Sequence, residues 1–228
     1  MKSGTSLSRY HVAFILLFFF QHLFVHAQGY RNFKVAIYCT VFDVEQMSDP
    51  AYLEKALSLL ENEMHIDKVY LETHRRDFLI DENTLVKVKR FFEKRGIKTS
   101  GGITTTGSKP IADHFGVYCY TDQKVIDHLK EVVRFSATHF DEIIIDDFYF
   151  TSCRCSNCVE QKGERSWTEF RLELMEEISR DVVVKTAKEV NPEINMIIKY
   201  PNWYDFYQNT GYNLAEQPEI FDMIYTGT

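Results

Sequence analysis

The chain lacks a basic face. Its 26 lysines and arginines are scattered among 33 acidic residues, for a net charge of −7, so a polyanion would meet no electrostatic footprint and nucleic acid is not an expected partner. No shift of composition marks a second domain, and 228 residues at 45% hydrophobic content suffice for one large core. No Gly-rich phosphate loop follows the first apolar run, "KVAIYCTVFDV". That absence removes the usual dinucleotide signature, and no organic cofactor is expected.

Also missing is an apolar run that would span a bilayer comfortably. Lys2 and Arg9 precede "VAFILLFFFQHLF", which Gln21 and His22 interrupt, and "VHA" supplies small residues before Gln28. This is the pattern of a signal peptide over residues 1–27, with an uncleaved membrane anchor as the alternative. The mature chain, 28–228, is then expected to be secreted or periplasmic, without stable membrane insertion after cleavage. No cysteine follows the apolar run, so lipid attachment there is not expected.

From Lys34 the chain alternates β-rich and amphipathic stretches. Strands are predicted in "KVAIYCTVFDV", "KVYLETH", "IKTSGGITT", "DEIIIDDFYF", "NMIIKYPNWY" and "DMIYTGT". Helices are predicted in "DPAYLEKALSLLENEM", with Asp49 as N-cap and Pro50 at its first position, in "DENTLVKVKRFFEKRG", closing on Gly96, and in "DQKVIDHLKEVVRFSATHF". A long helix runs through "WTEFRLELMEEISRDVVVKTAKEVN" up to Pro192, and a short one lies around residues 204–209. Buried parallel strands read as continuous apolar runs, as Ile143, Ile144 and Ile145 do.

A doubly wound sheet and a barrel both fit that alternation. Polar and aromatic residues crowd the C-terminal ends of successive strands: Glu72 and His74, Gly101 and Gly102, Asp146 and Asp147, Lys199 with Asn202 and Trp203. In a barrel those ends converge on one face, where active sites are built. The fold class expected is α/β, a (β/α)8 TIM-type barrel truncated after about six strands, since a full barrel takes roughly 250 residues.

The stretch "FDEIIIDDFYF" then carries the chemistry. Neighbouring side chains on a strand face opposite ways, so one of Asp146 and Asp147 is expected at the mouth and the other in the loop or helix layer. Glycosidic cleavage needs an acid to protonate the leaving oxygen and a carboxylate across the bond. Asp147, Asp146 and Glu72 are the catalytic candidates; the alternative for Glu72 is a salt bridge to Arg75 or Arg76. His74, Tyr149, Lys199, Asn202 and Trp203 are candidates for substrate contact, because rings with a polar tip suit pyranose faces and hydroxyls.

"FDEIIIDDFYF" resembles the fourth-strand signature of glycosyl-hydrolase-like barrel domains. It is also similar to the chitinase strand motif in Asp141 and Asp146, but Phe148 stands where those enzymes carry their catalytic Glu, which argues against chitinase chemistry. "CRCSNC" resembles the C-x-C-x2-C element of family 42 β-galactosidases, which helps hold a structural zinc. Those enzymes carry Asn-Glu at the strand end, so the resemblance passes the acid role to Asp147. Polysaccharide deacetylases are less similar, because no two of histidines 65, 74, 114, 128 and 139 are four apart to form their metal pair.

Zinc takes four thiolate or imidazole ligands in a tetrahedron; Cys153, Cys155 and Cys158 offer three and Cys119 a fourth. A disulfide between Cys153 and Cys158, or from Cys119 to one of the three, is the alternative, with Cys39 left as a buried thiol. The function expected is hydrolysis of an oligo- or polysaccharide by an exported enzyme with a structural zinc. A non-catalytic carbohydrate-binding barrel is the alternative.

Overall fold

A computed structural model of the chain describes residues 30–107, 116–202 and 206–227. The signal-peptide stretch and Trp203 lie outside the described residues. Six parallel strands, β1 (Ala36–Cys39), β2 (Lys68–Arg75), β4 (Lys98–Ile103), β5 (Glu142–Ile145), β6 (Asn195–Tyr200) and β7 (Met223–Thr226), pair in that order. A short strand, β3 (Phe78–Leu79), folds back antiparallel on β2. The sheet curls into a half-barrel, six strands of a TIM-type α/β fold, as the sequence pattern predicts.

The helices between the strands start where local chemistry satisfies their first amides. In α2 (Pro50–Glu61), Asp49 accepts from the Ala51 N–H and Pro50 occupies the first turn. Asp81 caps α3 (Glu82–Glu93) and Asp122 caps α4 (Gln123–His139). A capping box formed by Thr40 and Asp43 opens α1 (Val41–Gln46), a helix inside the stretch read from sequence as the tail of a strand. The cysteine stretch likewise runs into a helix, α5 (Ser156–Lys162).

The long helix predicted up to Pro192 is α6 (Trp167–Glu177), a π-helical segment (Ile178–Val184) and α7 (Lys185–Val190) in succession. The short helix expected at residues 204–209 is α8 (Tyr207–Thr210), followed by α9 (Gln217–Ile220). Among the described residues, no helix is long and apolar enough to cross a membrane.

Strand alternation divides the core into two parts. Val69, Leu71, Ile143, Ile145, Met196 and Ile198 pack outward under the helices in one large cluster. Tyr70, Ile144 and Ile197, with Tyr38 against them, form a small separate cluster on the inner face. Along each strand the inner face then reads as layers, the stacking expected of barrel interiors. Below the apolar layer, Lys68, Ser100 and Asn195 all hydrogen-bond Glu142. Above it, at the C-terminal ends, lie Glu72, Asp146 and Lys199.

Candidate active site

The upper layer is a continuous network of charges. Glu72, fully buried, accepts from Tyr38 Oη at 2.8 Å, from the Val41 N–H at 2.7 Å, and from the Arg75 guanidinium at 2.9–3.1 Å. The Thr104 hydroxyl donates to it as well. Arg75 continues to Asp146 Oδ2 at 3.0 Å, and Lys199 Nζ meets Asp146 Oδ1 at 3.0 Å and Asp147 Oδ2 at 3.3 Å. Burying this many charges is tolerable only because each has an opposite partner and hydrogen bonds besides.

Both aspartates reach Lys199, which the alternation argument does not anticipate. The reason is local: β5 ends at Ile145, and the backbone turns at once, with the Tyr149 N–H bonded to the Asp146 carbonyl. Asp146 keeps the inward position that follows Ile144. Asp147 has left the pleat, and its carbonyl accepts from the Tyr212 hydroxyl.

Their electrostatics diverge. Burial works to raise the Asp146 carboxyl, but Lys199, the Asp147 backbone N–H and Arg75 outweigh it and hold it below the usual carboxylate range. Asp147 is pushed above that range by burial and by the Asp146 charge, against which Lys199 only partly pulls. Lys199 is itself raised, since its two carboxylates outweigh its burial. The pair therefore consists of one carboxylate held ionised and one inclined to keep its proton, the usual division between an electrostatic group and a proton donor.

The other sequence-predicted residues fall in different places. Glu72 makes the salt bridge to Arg75, not Arg76, and its acceptor capacity is filled. At Glu72–His74 the pairing of β2 with β4 slips by one residue. That bulge turns Thr73 to Ser136 of α4 and sends His74 toward His128 of the same helix, away from the charged layer. Tyr149, read as a substrate contact, is fully buried among Tyr120 and Phe221 with its hydroxyl 3.1 Å from Ser179. Asn202 is exposed just past β6.

Thr104 and Tyr38 were missed as members of the network, and Arg75, named from the sequence only as a partner for Glu72, reaches Asp146 as well. Tyr38 can cross the inner face because Gly102 has no side chain: a Cβ there would stand 2.7 Å from the Tyr38 hydroxyl. Gly102 thus admits a tyrosine, while a Cβ on Gly101 would stand 2.8 Å from the Phe140 ring.

The cysteines gather as a group of four. Cys119, Cys153, Cys155 and Cys158 have sulfurs within 4.8 Å of one another. Cys119 lies 3.7 Å from both Cys155 and Cys158, which are 3.6 Å apart. These are not disulfide distances, and none of the five cysteines is joined in a disulfide in this structure. Four thiolates around zinc at about 2.3 Å would be separated by about 3.8 Å, so the residues present fit a tetrahedral metal. The Cys155 thiol is lowered to about 7 by the Cys158 backbone N–H and the neighbouring thiols. Cys39 stands apart on β1, its thiol pushed up to about 12 by burial.

Comparison with known proteins adds the following. The family model described as "Probable glycosyl hydrolase, catalytic domain" matches residues 23–228. An uncharacterized protein of Saccharolobus solfataricus is 32% identical over 226 residues, covering 87% of this chain and 37% of its own length. The chain thus spans little more than a third of that relative. A solved structure of the virulence factor SghA with its substrate analogue salicin aligns with a TM-score of 0.40 at 13% identity, covering 66% of this chain and 36% of that one.

Proposed function

The chain belongs to the family of probable glycosyl hydrolase catalytic domains, and we propose that it hydrolyses glycosidic bonds of an oligo- or polysaccharide, with Asp147 as the proton donor. The observation that carries the reading is one ammonium, Lys199, bridging both carboxylates at the C-terminal end of β5. Asp146 is its charged partner. Asp147, whose carboxyl is raised by burial and by the Asp146 charge, is the one of the pair that keeps its proton to higher pH, as a donor to a leaving oxygen must. Glu72 anchors Arg75 and so holds Asp146 in place; it is a positioning residue in this scheme. The mature chain, 28–228, acts outside the cytoplasm in the same proposal, secreted or periplasmic, after removal of residues 1–27.

Cys119, Cys153, Cys155 and Cys158 hold a structural zinc in this reading. The sulfur separations support it, as does the likeness of "CRCSNC" to the element of family 42 β-galactosidases. Such an ion would tie the loop after β5 to the one after β4. That β5 loop is otherwise held by Arg171, which donates to the Ser152 and Asn209 carbonyls, and by the Thr151 N–H on the Thr210 carbonyl.

A second reading, a carbohydrate-binding barrel without catalysis, is favoured by one observation: Glu72 and Asp146 are already engaged by Arg75, Lys199 and Thr104. Screening the mature protein against aryl glycosides and polysaccharides separates the two. Turnover that disappears in Asp147→Asn supports the hydrolase, and saturable sugar binding without turnover supports the binder.

A further inference from the structure

Outside the charged layer, a second group of ligating side chains gathers where β2, the β2–β3 turn and α4 meet. His74 Nε2 faces His128 Nε2 at 3.2 Å and the Tyr118 hydroxyl at 3.1 Å. A carboxylate oxygen of Asp77 lies within 4.8 Å of both imidazoles, and 3.4 Å from the Tyr118 hydroxyl. Asp77, Tyr118 and His128 line a cavity of about 270 Å³ that opens outward beside Lys124 and Val125.

The His74 tautomer follows from its outer contact. His74 Nδ1 lies 2.8 Å from the Thr104 carbonyl, which can only accept, so Nδ1 carries the proton and Nε2 presents a lone pair. His128 Nδ1 lies 3.8 Å from the Glu131 carboxylate, beyond hydrogen-bond reach, and its Nε2 faces His74. A cation between the two facing nitrogens would take a lone pair from each. A ligating histidine typically donates its remote N–H to a backbone carbonyl or carboxylate, as His74 does here. The separation also fits: two nitrogens on one tetrahedral ion at about 2.0–2.1 Å would stand about 3.3–3.4 Å apart.

The turn supports the carboxylate's placement. Arg76 and Asp77 occupy the left-handed region with φ of 55° and 59°, unusual for residues other than glycine. The turn is held there by the Asp77 N–H on the Thr106 carbonyl and the Arg76 N–H on the Thr106 hydroxyl. His74 is buried and its Nδ1 is fixed on the Thr104 carbonyl, so Nε2 is the nitrogen it offers to a ligand.

We propose that His74, His128 and Asp77 bind one divalent transition-metal ion of the zinc and cobalt class, with the Tyr118 hydroxyl beside it. The ion is distinct from any held by the four cysteines. Its position suits bracing: Thr104, whose carbonyl fixes His74, also donates its hydroxyl to Glu72 and Asp146, so the site and the charged layer share one residue.

Cobalt(II) titration of the whole chain, followed by absorption spectroscopy and metal analysis, tests this. Thiolate-bound cobalt shows intense near-ultraviolet charge-transfer bands, whereas cobalt on imidazole and carboxylate shows only weak visible ones. The expected result is a bound ion of the second kind that survives in Cys155→Ser. In His128→Ala, a change on the accessible face of α4, that ion should bind at least about 100-fold more weakly, since outer partners alone are worth roughly 10–100-fold. His128→Ala should keep the thermal transition of the metal-free chain, and Asp77→Asn should weaken the same ion. Cobalt found on thiolates alone, or a non-thiolate ion indifferent to both His128→Ala and Asp77→Asn, overturns the proposal and leaves a hydrogen-bonded histidine pair.

Discussion

Lys199, on the inner face of β6, holds Asp146 of the neighbouring strand end at 3.0 Å. With Arg75 on the other oxygen at 3.0 Å, Asp146 stays anionic, and its charge falls on Asp147 next in the chain. The arrangement commits one carboxylate to electrostatics and leaves the other to titrate. Each half of that division has a measurable consequence.

Asp147→Asn keeps the size of the side chain and an acceptor for Lys199, but it carries no exchangeable acid. Turnover should fall by at least about 100-fold in kcat. Stability should move the other way. A carboxyl whose folded pKa is raised contributes stability fully present below its unfolded value, about 3.9, and lost as pH rises through the folded value. Above the folded value the ionised Asp147 therefore burdens the fold, and there its removal should raise the thermal transition by a few degrees. A variant with normal hydrolysis would rule out Asp147 as the proton donor.

Asp146→Asn should behave oppositely in stability, because it leaves Arg75 and Lys199 buried with one anion fewer. The depressed carboxyl of Asp146 contributes stability above about pH 3.9 that disappears as pH falls through its lower folded value. Acid melts of the variant should lack that component. Removing the Asp146 charge also lowers Asp147, so the alkaline limb of the kcat profile, set by loss of the donor's proton, should move to lower pH. A limb that stays in place would show that the two carboxylates do not titrate together.

The cysteine cluster predicts a thiolate-bound ion that Cys155→Ser weakens and Cys39→Ala does not touch. Elemental analysis of the protein as isolated should find zinc. A chelator should lower the thermal transition of the wild type and do less to Cys155→Ser, in which activity per folded molecule is retained. Protein that binds no metal on its thiols would remove the zinc assignment without altering the Asp147 scheme.

The six parallel strands were legible because strands covered on both faces must be apolar throughout, and "EIII" and "NMII" meet that demand. Helix starts were legible wherever a capping side chain precedes the first turn, as at Asp49 and Asp81. The β2–β3 turn was not, since Arg76 and Asp77 take a backbone conformation that glycine usually marks. Nor was the bulge at His74, because a one-residue slip leaves no trace in composition, yet it decides which way the histidine points. Within the charged layer, the acids stood out at strand ends. Tyr38 and Thr104 did not, because their membership depends on two other strands lying alongside.

The last prediction concerns the opposite end of the same strand. Glu142 begins β5 and gathers Lys68 at 2.5 Å, Ser100 at 2.8 Å and Asn195 at 2.9 Å. Burial opposes its charge, but those three donors prevail and hold its carboxyl below the usual range. It lies under the apolar layer of Tyr70, Ile144 and Ile197, which separates it from Lys199 and the aspartates. In a barrel the N-terminal face serves stability and the C-terminal face chemistry. Glu142→Gln should therefore cost about 1–2 kcal/mol, or roughly 2–8 °C in the thermal transition. The depressed carboxyl contributes above its unfolded pKa, so wild type and variant should differ at neutral pH and converge as pH falls through the folded value. Turnover per folded molecule should match the wild type. A variant as stable as the wild type but slow in turnover would mean that the lower layer reaches the reacting end, and the separation drawn from the inner-face pattern would be wrong.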